Sequence, residues 1–468
     1  MFEVGSRKFV FLIAFICFII SFVLIILSKG TYDPGDGVQH YLIAKYAFKH
    51  PLLLLDHWGK PIYTLLCMPF AQVGFIGSNI YNLICNTTTS FLAYQIASKM
   101  GFKNAWVTFI LVFFSPLFFM TNFSGLTEPT FALILTASIL LMLHSKYVFG
   151  ALLISFLPFA RTEGFFILPL FVIYLASQKQ LKAIIFTGFA TVLYSVIGFF
   201  VLDDLLWIFH QNPYKGAVDI YGKGPLMHFV AANDRLFGLP LVVLFLLACV
   251  GLLMGKGIQV QPRKAFYILV LMPFVVYFTM HSVFWWKGLF GSLGLHRVMA
   301  AVAPLFGIVA LLGYNLLASY LPNKNNLQKI VLGFILLAVA IYPFKQYRPP
   351  LKPDTEMQVL INASNWINNN AITTDKKVYC MYPTLGMMLD IDPFIPYKYI
   401  STCMLKFSDF SSALKPGDLI IWDSHFGPEC GFSPEDIGKL NKVKRVANFH
   451  QPNDSKQVFE VVVFVVTK

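Results

Sequence analysis

Charge is what this sequence has least of. Only 13% of its 468 residues are Asp, Glu, Lys or Arg, against about 25% in ordinary soluble domains. A water-soluble enzyme and a disordered binder are excluded on that ground, because 57% of the residues are hydrophobic, 48 are Phe and the mean hydropathy is +0.66. Chemical signatures are missing too: there is no HExxH, no paired CxxC, no Walker loop and no GxGxxG, so neither a zinc site nor a nucleotide cradle is signalled. No repeat or low-complexity segment stands out. Acids are scarcer than bases, 23 against 36, and the net charge of +13 would suggest a polyanion partner if the chain were soluble.

What the chain has instead is a series of uncharged apolar runs of about 20 residues, the signature of a protein that crosses a bilayer many times. Its charges divide it in two. Residues 1–343 hold 32 charged side chains, whereas the 125 residues 344–468 hold 27, a density ordinary for a soluble domain. The expected organisation is an all-α polytopic membrane domain over 1–343, a linker over 344–353 and a small α/β soluble domain over 354–468. The polar, proline-rich stretch Tyr347-Arg348-Pro349-Pro350-Leu351-Lys352-Pro353 marks the junction, since a helix cannot continue through it.

Eleven spans are expected, over 9–27, 78–98, 105–121, 129–143, 147–160, 165–176, 183–202, 239–255, 265–284, 298–319 and 329–343. The first lacks a small-x-small cleavage site and reads as a retained anchor. Residues 62–74 would rise only about 20 Å as a helix, short of a roughly 30 Å hydrocarbon core, and are expected to lie at the interface. That choice keeps Lys99/Lys103, Lys146, Lys179/Lys182, Lys256/Arg263/Lys264 and Lys324/Lys329 on the cytoplasmic side with the N-terminus, as the positive-inside rule requires. The tail then lies outside. Divided this way, cytoplasmic segments carry a net +11 and the outer loops and tail +1 each, so the basic excess is a topology signal. The expected location is a bacterial inner membrane in preference to the endoplasmic reticulum, and no nucleic-acid partner is implied.

Oriented so, the unusual polar residues collect on one face. The first outer loop contains Asp33, Asp36, His40 and Tyr41 and ends with Lys60-Pro61; Glu128 opens a span; Arg161, Thr162 and Glu163 fill a tight turn; His296 and Arg297 precede another span. Ionisable groups near bilayer depth cost on the order of 2.5–3.5 kcal/mol each on insertion scales, which makes them functional candidates. A carboxylate base (Asp36 or Asp33) beside cations (Lys60, Arg161, His296, Arg297) suits an activated lipid phosphate entering sideways and an acceptor arriving from water. Bland readings stand beside these. Asp36 equally suits a cap on a helix starting near Val38, Arg161 and Glu163 an internal ion pair, and His296 and Arg297 snorkelling groups. Asp203 and Asp204 read as a solvated loop start.

Cys17, Cys67, Cys85 and Cys249 lie in apolar runs and read as small hydrophobes. Of Cys380, Cys403 and Cys430 in the tail, two can form one disulfide, and the pairing is open. Asn122, Asn362 and Asn453 begin glycosylation triplets that matter only in a eukaryotic lumen. In the tail, residues 354–370 have a helical period with Asp354 as N-cap. Residues 378–382, 419–422, 443–449 and 458–466 read as strands, and Ser433-Pro434 as the start of a short helix. With no catalytic motif, the tail reads as acceptor recognition or a cover over the outer site.

Together, Asp33-x-x-Asp36 with Tyr41 after it, Lys60-Pro61 before an interfacial helix, Glu128-Pro129 at a span start and Arg161-Thr162-Glu163-Gly164 make the membrane domain resemble the GT-C glycosyltransferases. The nearest branch holds protein O-mannosyltransferases, lipid A aminoarabinose transferases and the mannosyltransferases of glycolipid-anchor assembly. The resemblance implies a polyprenyl-phosphate sugar donor, a glycan, lipid or protein acceptor and inverting transfer. It gives Asp36 the role of base, with Asp33 or Glu128 as second carboxylate. Lys60, Arg161, Glu163, His296 and Arg297 fall to the donor, and His40 and Tyr41 to the acceptor. The usual Asp-Glu pair is here Asp36-Gly37, and a divalent cation is left open because family members differ in metal dependence. The competing class is a polytopic transporter or flippase, against which stand the lack of repeats and the gathering of charge at one face.

Overall fold

A computed structural model describes residues 5–214, 222–255, 261–322, 326–370, 376–401, 407–451 and 459–468. The first four helices are α1 (Arg7–Leu27), α2 (Asp36–Tyr46), α3 (Pro61–Ala71) and α4 (Phe75–Lys99). Ser6 starts α1 by accepting the Phe9 N–H, an N-cap bond. Five helical stretches, Arg7–Leu27, Leu181–Leu202, Arg263–Lys287, His296–Tyr320 and Leu327–Tyr347, are long and apolar enough to cross a membrane, and shorter apolar helices accompany them. At 11 residues, α3 is roughly 16 Å long and cannot cross alone.

Every apolar run expected as a span is helical, but several are not single α-helices. Residues 105–121 break into Val107–Phe113 and Pro116–Met120, because Pro116 lacks an N–H and clashes with the turn before it. Residues 147–160 break similarly, into Tyr147–Ile154 and Leu157–Ala160, with Pro158 in the first turn of the second piece. The start of the run at 298–319 is a 3₁₀ turn, His296–Val302.

In α4, the structure shows a purpose hidden in an ordinary-looking span. Asn82 Nδ2 donates to the carbonyls of Ser124 (2.7 Å) and Leu126 (3.0 Å), and Asn86 Nδ2 to Asn122 Oδ1 (2.9 Å). These buried amides replace the hydrogen bonds that the non-helical backbone before Glu128 would otherwise lack. Asn122 is fully buried, so the fold closes it to glycosylation; Asn362 is exposed and Asn453 lies outside the described residues.

The C-terminal unit is a five-stranded sheet in the order β2-β1-β3-β5-β4, with β1 (Val378–Cys380), β2 (Tyr399–Ile400), β3 (Leu419–Asp423), β4 (Val443–His450) and β5 (Glu460–Val466). β2, β1 and β3 run parallel, whereas β3-β5 and β5-β4 are antiparallel. β2 was not apparent in the sequence, being two residues long. Both faces of β5 are covered: Val461 and Val463 pack with Leu360 and Ile367 of the helix Thr355–Asn369, and Val462 and Phe464 with Trp422 and Phe410. Asp354 caps that helix by accepting the Met357 N–H at 2.8 Å. Cys380 is a free buried thiol and Cys430 is disulfide-bonded; Cys403 lies outside the described residues.

The sheet unit is docked on the first loop. The N–H groups of Lys29 and Gly30 donate to the Leu351 carbonyl at 2.9 and 3.1 Å. Thr384 Oγ1 donates to the Pro34 carbonyl, and Asp390 and Asp392 pair with Lys45 and Lys49 at 3.1 Å each.

Candidate functional site

The first loop is anchored before it reaches the cavity. Thr31 Oγ1 and the Tyr32 N–H both donate to the Phe123 carbonyl, at 2.9 and 3.0 Å, which sets this loop beside the one held by α4. Gly125 meets the Gly37 carbonyl so closely that a Cβ has no room. Asp33 Oδ1 accepts the Gly37 N–H at 2.9 Å, so it is Asp33 that caps α2. Asp36 is the first residue of the helix and makes no capping bond; the capping alternative for Asp36 is overturned, and its carboxylate is free for other partners.

Those partners come from far along the chain. Arg297 Nη1 donates to Asp33 and Arg297 Nη2 to Asp36, while its Nε lies 3.9 Å from Glu128. Arg161 continues the line, with Nη1 2.7 Å from Glu128 and Nη2 2.7 Å from Glu163. His281 closes it, its Nε2 3.5 Å from Glu163. Charges therefore alternate: Glu163, Arg161, Glu128, Arg297, then Asp36 and Asp33. Arg161 is the internal ion pair of the bland reading and a wall of the cavity at once. The snorkelling alternative fails for Arg297, whose side chain is 12% exposed and paired on both arms. Glu128 is completely buried, and neither carboxylate oxygen accepts a well-directed hydrogen bond despite its ion pairs.

Lys60 stands outside this line. Its Nζ donates to Tyr214 Oη (2.6 Å), the His57 carbonyl (3.2 Å) and Thr162 Oγ1 (3.3 Å), and among the described residues it has no ion-pair partner. Its backbone sits at φ +62°, a left-handed conformation that costs a non-glycine residue roughly 1–2 kcal/mol and is found concentrated at functional sites. Pro61 then opens α3, as a residue with fixed φ suits the first helical position.

A cavity of about 470 Å³ is lined by these groups. Its polar lining is Asp36, His40, Lys60, Glu128, Arg161, Glu163, His281 and Arg297, most of them joined by the ion pairs above, and its apolar lining includes Leu293 and the contacting rings Phe165/Phe209 and Phe166/Phe284/Phe290. A space so lined accepts an amphipathic ligand, with its head on the charges and its tail along the rings. Burial raises the Asp36 carboxyl, but the Arg297 guanidinium outweighs it and holds the group below the ordinary carboxylate range. Glu163 is likewise held well below that range by Arg161 against its burial. Burial pushes His40 down to about 3 in spite of Asp36, so the imidazole is neutral; it stacks on Trp58 with ring centroids 4.5 Å apart.

Three residues expected at the site do not line the cavity, and of these Asp33 is joined to it only through Arg297. His296 faces His228, ring centroids 4.9 Å apart, and Tyr41 packs under Phe75 at 5.4 Å; neither lines the cavity. Tyr41 follows His40 by one helical residue, about 100° of rotation, and Asp36 by five, about 140°, which turns it away from both. Thr162 was named with its turn but given no role, and sequence reasoning missed Thr127, Tyr214, His281 and the aromatic wall. Of these only His281 carried a signal, as a lone ionisable group in an apolar run. Asp204 bonds His210 at 3.0 Å at the loop start. Among the described residues, no group of three His, Cys, Asp or Glu is placed to hold a metal ion.

A scan of protein-family models and a comparison with curated proteins each find no match. Solved structures do match. Crystal structures of ArnT from Cupriavidus metallidurans superpose with a TM-score of 0.59 at 11% identity. The form bound to undecaprenyl phosphate aligns over 98% of both chains, and the apo form over 97% of this chain and 96% of ArnT. This likeness establishes the fold: the many-helix architecture with a small C-terminal sheet domain, expected from the sequence, is shared with ArnT over nearly the whole chain.

Proposed function

We propose that the protein is an integral-membrane glycosyltransferase that moves a sugar, a mannose-like hexose in the first instance, from a polyprenyl-phosphate donor to an acceptor hydroxyl on the extracytoplasmic face, with inversion. The observation that carries this reading is the cavity lining, which brings the Lys60 ammonium and the guanidinium groups of Arg161 and Arg297 together with a cluster of contacting Phe side chains. A lipid phosphate matches both kinds of lining. In support, the ArnT structure that shares the fold is bound to undecaprenyl phosphate. Residues 1–343 would form the transmembrane catalytic part with a cytoplasmic N-terminus, and 354–468 an extracytoplasmic cover joined through 344–353.

In this reading Asp36 removes the acceptor hydroxyl proton, the oxygen attacks the anomeric carbon, and the bond from that carbon to the phosphate oxygen breaks, its electron pair leaving with the lipid phosphate. Arg297 has two duties that compete. Paired to Asp36, it depresses the carboxylate as a base; drawn towards the donor phosphate, it stabilises the leaving group and restores the basicity of Asp36. Neutral His40 keeps a further cation away from the base. Glu163, held ionised, keeps Arg161 in place, and Lys60, which forms no ion pair among the described residues, supplies a further positive charge.

Mass spectrometry of lipid retained by the purified full chain is expected to show a polyprenyl phosphate or its sugar ester. Asp36→Asn is expected to keep that lipid and to lower transfer by about 100-fold or more. Full transfer by this variant removes the base assignment, and failure of the wild-type protein to bind an added polyprenyl-phosphate sugar removes the donor class.

A further inference from the structure

We propose that a second cleft, between the far end of α2 and the edge of the sheet, is a binding site for the anionic headgroup of a membrane lipid. The cleft is about 530 Å³ and is lined by Lys45 and Lys49 on one side and by Lys376 and Lys398, which precede β1 and β2, on the other. Asp390 and Asp392 also line it, and each is already paired, Asp390 with Lys45 and Asp392 with Lys49 at 3.1 Å and His50 at 3.0 Å. Lys376 donates to the Pro416 carbonyl at 3.4 Å, and among the described residues neither it nor Lys398 forms an ion pair. Four ammonium groups therefore face two carboxylates around one space, on a side of the protein whose outer loops and tail are each near neutral. A concave surface with that surplus attracts an anion, and a phosphate would draw charge-assisted hydrogen bonds from several lysines at once.

The source of the anion follows from the neighbouring side chains. Phe48, in the turn after α2, and Leu52, in the 3₁₀ turn Pro51–Leu55 that follows it, stand 60% and 61% exposed. Beyond them α3 exposes Leu65 and Leu66. An apolar strip continuing from a basic rim is the arrangement of an interfacial segment, with rings and aliphatic groups among acyl chains and lysines at headgroup level. A soluble phosphate or acidic sugar would use the lysines and leave the strip bare. The site is distinct from the catalytic cavity: Lys45 lies nine residues beyond Asp36 on α2, about 14 Å along the axis and half a turn around it. A lipid held here would tie the sheet unit to the helix that carries Asp36. The inference rests on the chain being a membrane protein and is independent of the transfer reaction.

The full chain in neutral detergent should be titrated with phosphatidylglycerol or phosphatidylethanolamine and read by native mass spectrometry. One phosphatidylglycerol is expected to bind in preference to phosphatidylethanolamine, and the double variant Lys376→Gln/Lys398→Gln to bind it on the order of tenfold or more weakly, with its unfolding temperature in detergent unchanged. Equal binding of both lipids, or an undiminished preference in the double variant, overturns the site. Competition by inorganic phosphate at the same concentration as the lipid overturns the lipid assignment. Phe48→Ser/Leu52→Ser, which leaves every lysine in place, is expected to weaken lipid binding as well; no effect there also overturns the lipid assignment.

Discussion

Arg297 Nη2 donates to the carboxylate of Asp36 across 261 residues of chain. Both groups line the cavity, so the proposed base and one proposed phosphate ligand neutralise each other before a donor is present. The carboxyl is consequently ionised well into the acid range, and the stability this pairing contributes is present above the unfolded carboxyl pKa and is lost as pH falls through the lower folded value.

Arg297→Lys tests this relationship. A single ammonium cannot fork between Asp33 and Asp36, so the Asp36 pKa should rise. The transfer rate of the wild-type protein is expected to be flat from about pH 5 to pH 8. In the variant the acid limb should move up towards the ordinary carboxylate range, with a lower plateau. A pH–rate profile of kcat/KM for the donor checks both.

Arg161 lies 2.7 Å from both Glu128 and Glu163. Arg161→Ala removes the nearest cation from two buried carboxylates, leaving Glu128 with Arg297 Nε at 3.9 Å and Glu163 with His281 at 3.5 Å, and a loss of about 3 kcal/mol is expected in unfolding measurements in detergent. Adding Glu128→Gln should recover part of that loss, because one of the stranded charges is then gone. An unchanged melting temperature in the single variant would contradict the buried network.

Lys60→Met keeps most of the side-chain volume and removes the cation. Donor binding is expected to weaken by about 10- to 100-fold, the cost of deleting one partner of a buried charged contact, with kcat reduced less than affinity. Isothermal titration with a polyprenyl-phosphate sugar, beside a melting curve to show intact folding, separates this from a structural defect.

Asp423 is 1% exposed, and one of its carboxylate oxygens has no partner. Burial pushes its carboxyl up to about 6, although the Phe426 and His425 N–H groups donate to it. A raised carboxyl pKa destabilises the fold as pH climbs from the unfolded value through about 6, the reverse of the Asp36 case. Asp423→Asn should therefore stabilise the protein at pH 7.5 by on the order of 2–3 kcal/mol and make no difference near pH 4. Thermal unfolding at the two pH values shows whether the gain has this sign.

Much of the fold was legible because membrane helices announce themselves locally. The low charge, the apolar runs and the break in composition near residue 344 depend on nothing beyond the segment that carries them. Asp354 as a cap and Pro434 as a first helical residue were legible for the same reason. Less local features were not. That residues 105–121 fold as two short helices follows from Pro116, but that Asn82 and Asn86 of a neighbouring helix hold the loop after them does not follow from any spacing in the sequence.

The candidate site divides in the same way. The sequence alone determined that Asp33, Asp36, Lys60, Glu128, Arg161 and Arg297 are the polar residues of an apolar chain and would share a face. It could not say that Asp33 caps α2 while Asp36 faces Arg297, that His296 and Tyr41 turn away, or that His281 and a wall of Phe side chains complete the cavity. The physical reason is range. Hydropathy and charge sidedness sum contributions along the chain, whereas an ion pair at hydrogen-bond distance depends on the packing of helices hundreds of residues apart, where one residue of rotation, about 100°, exchanges a ligand for a core side chain.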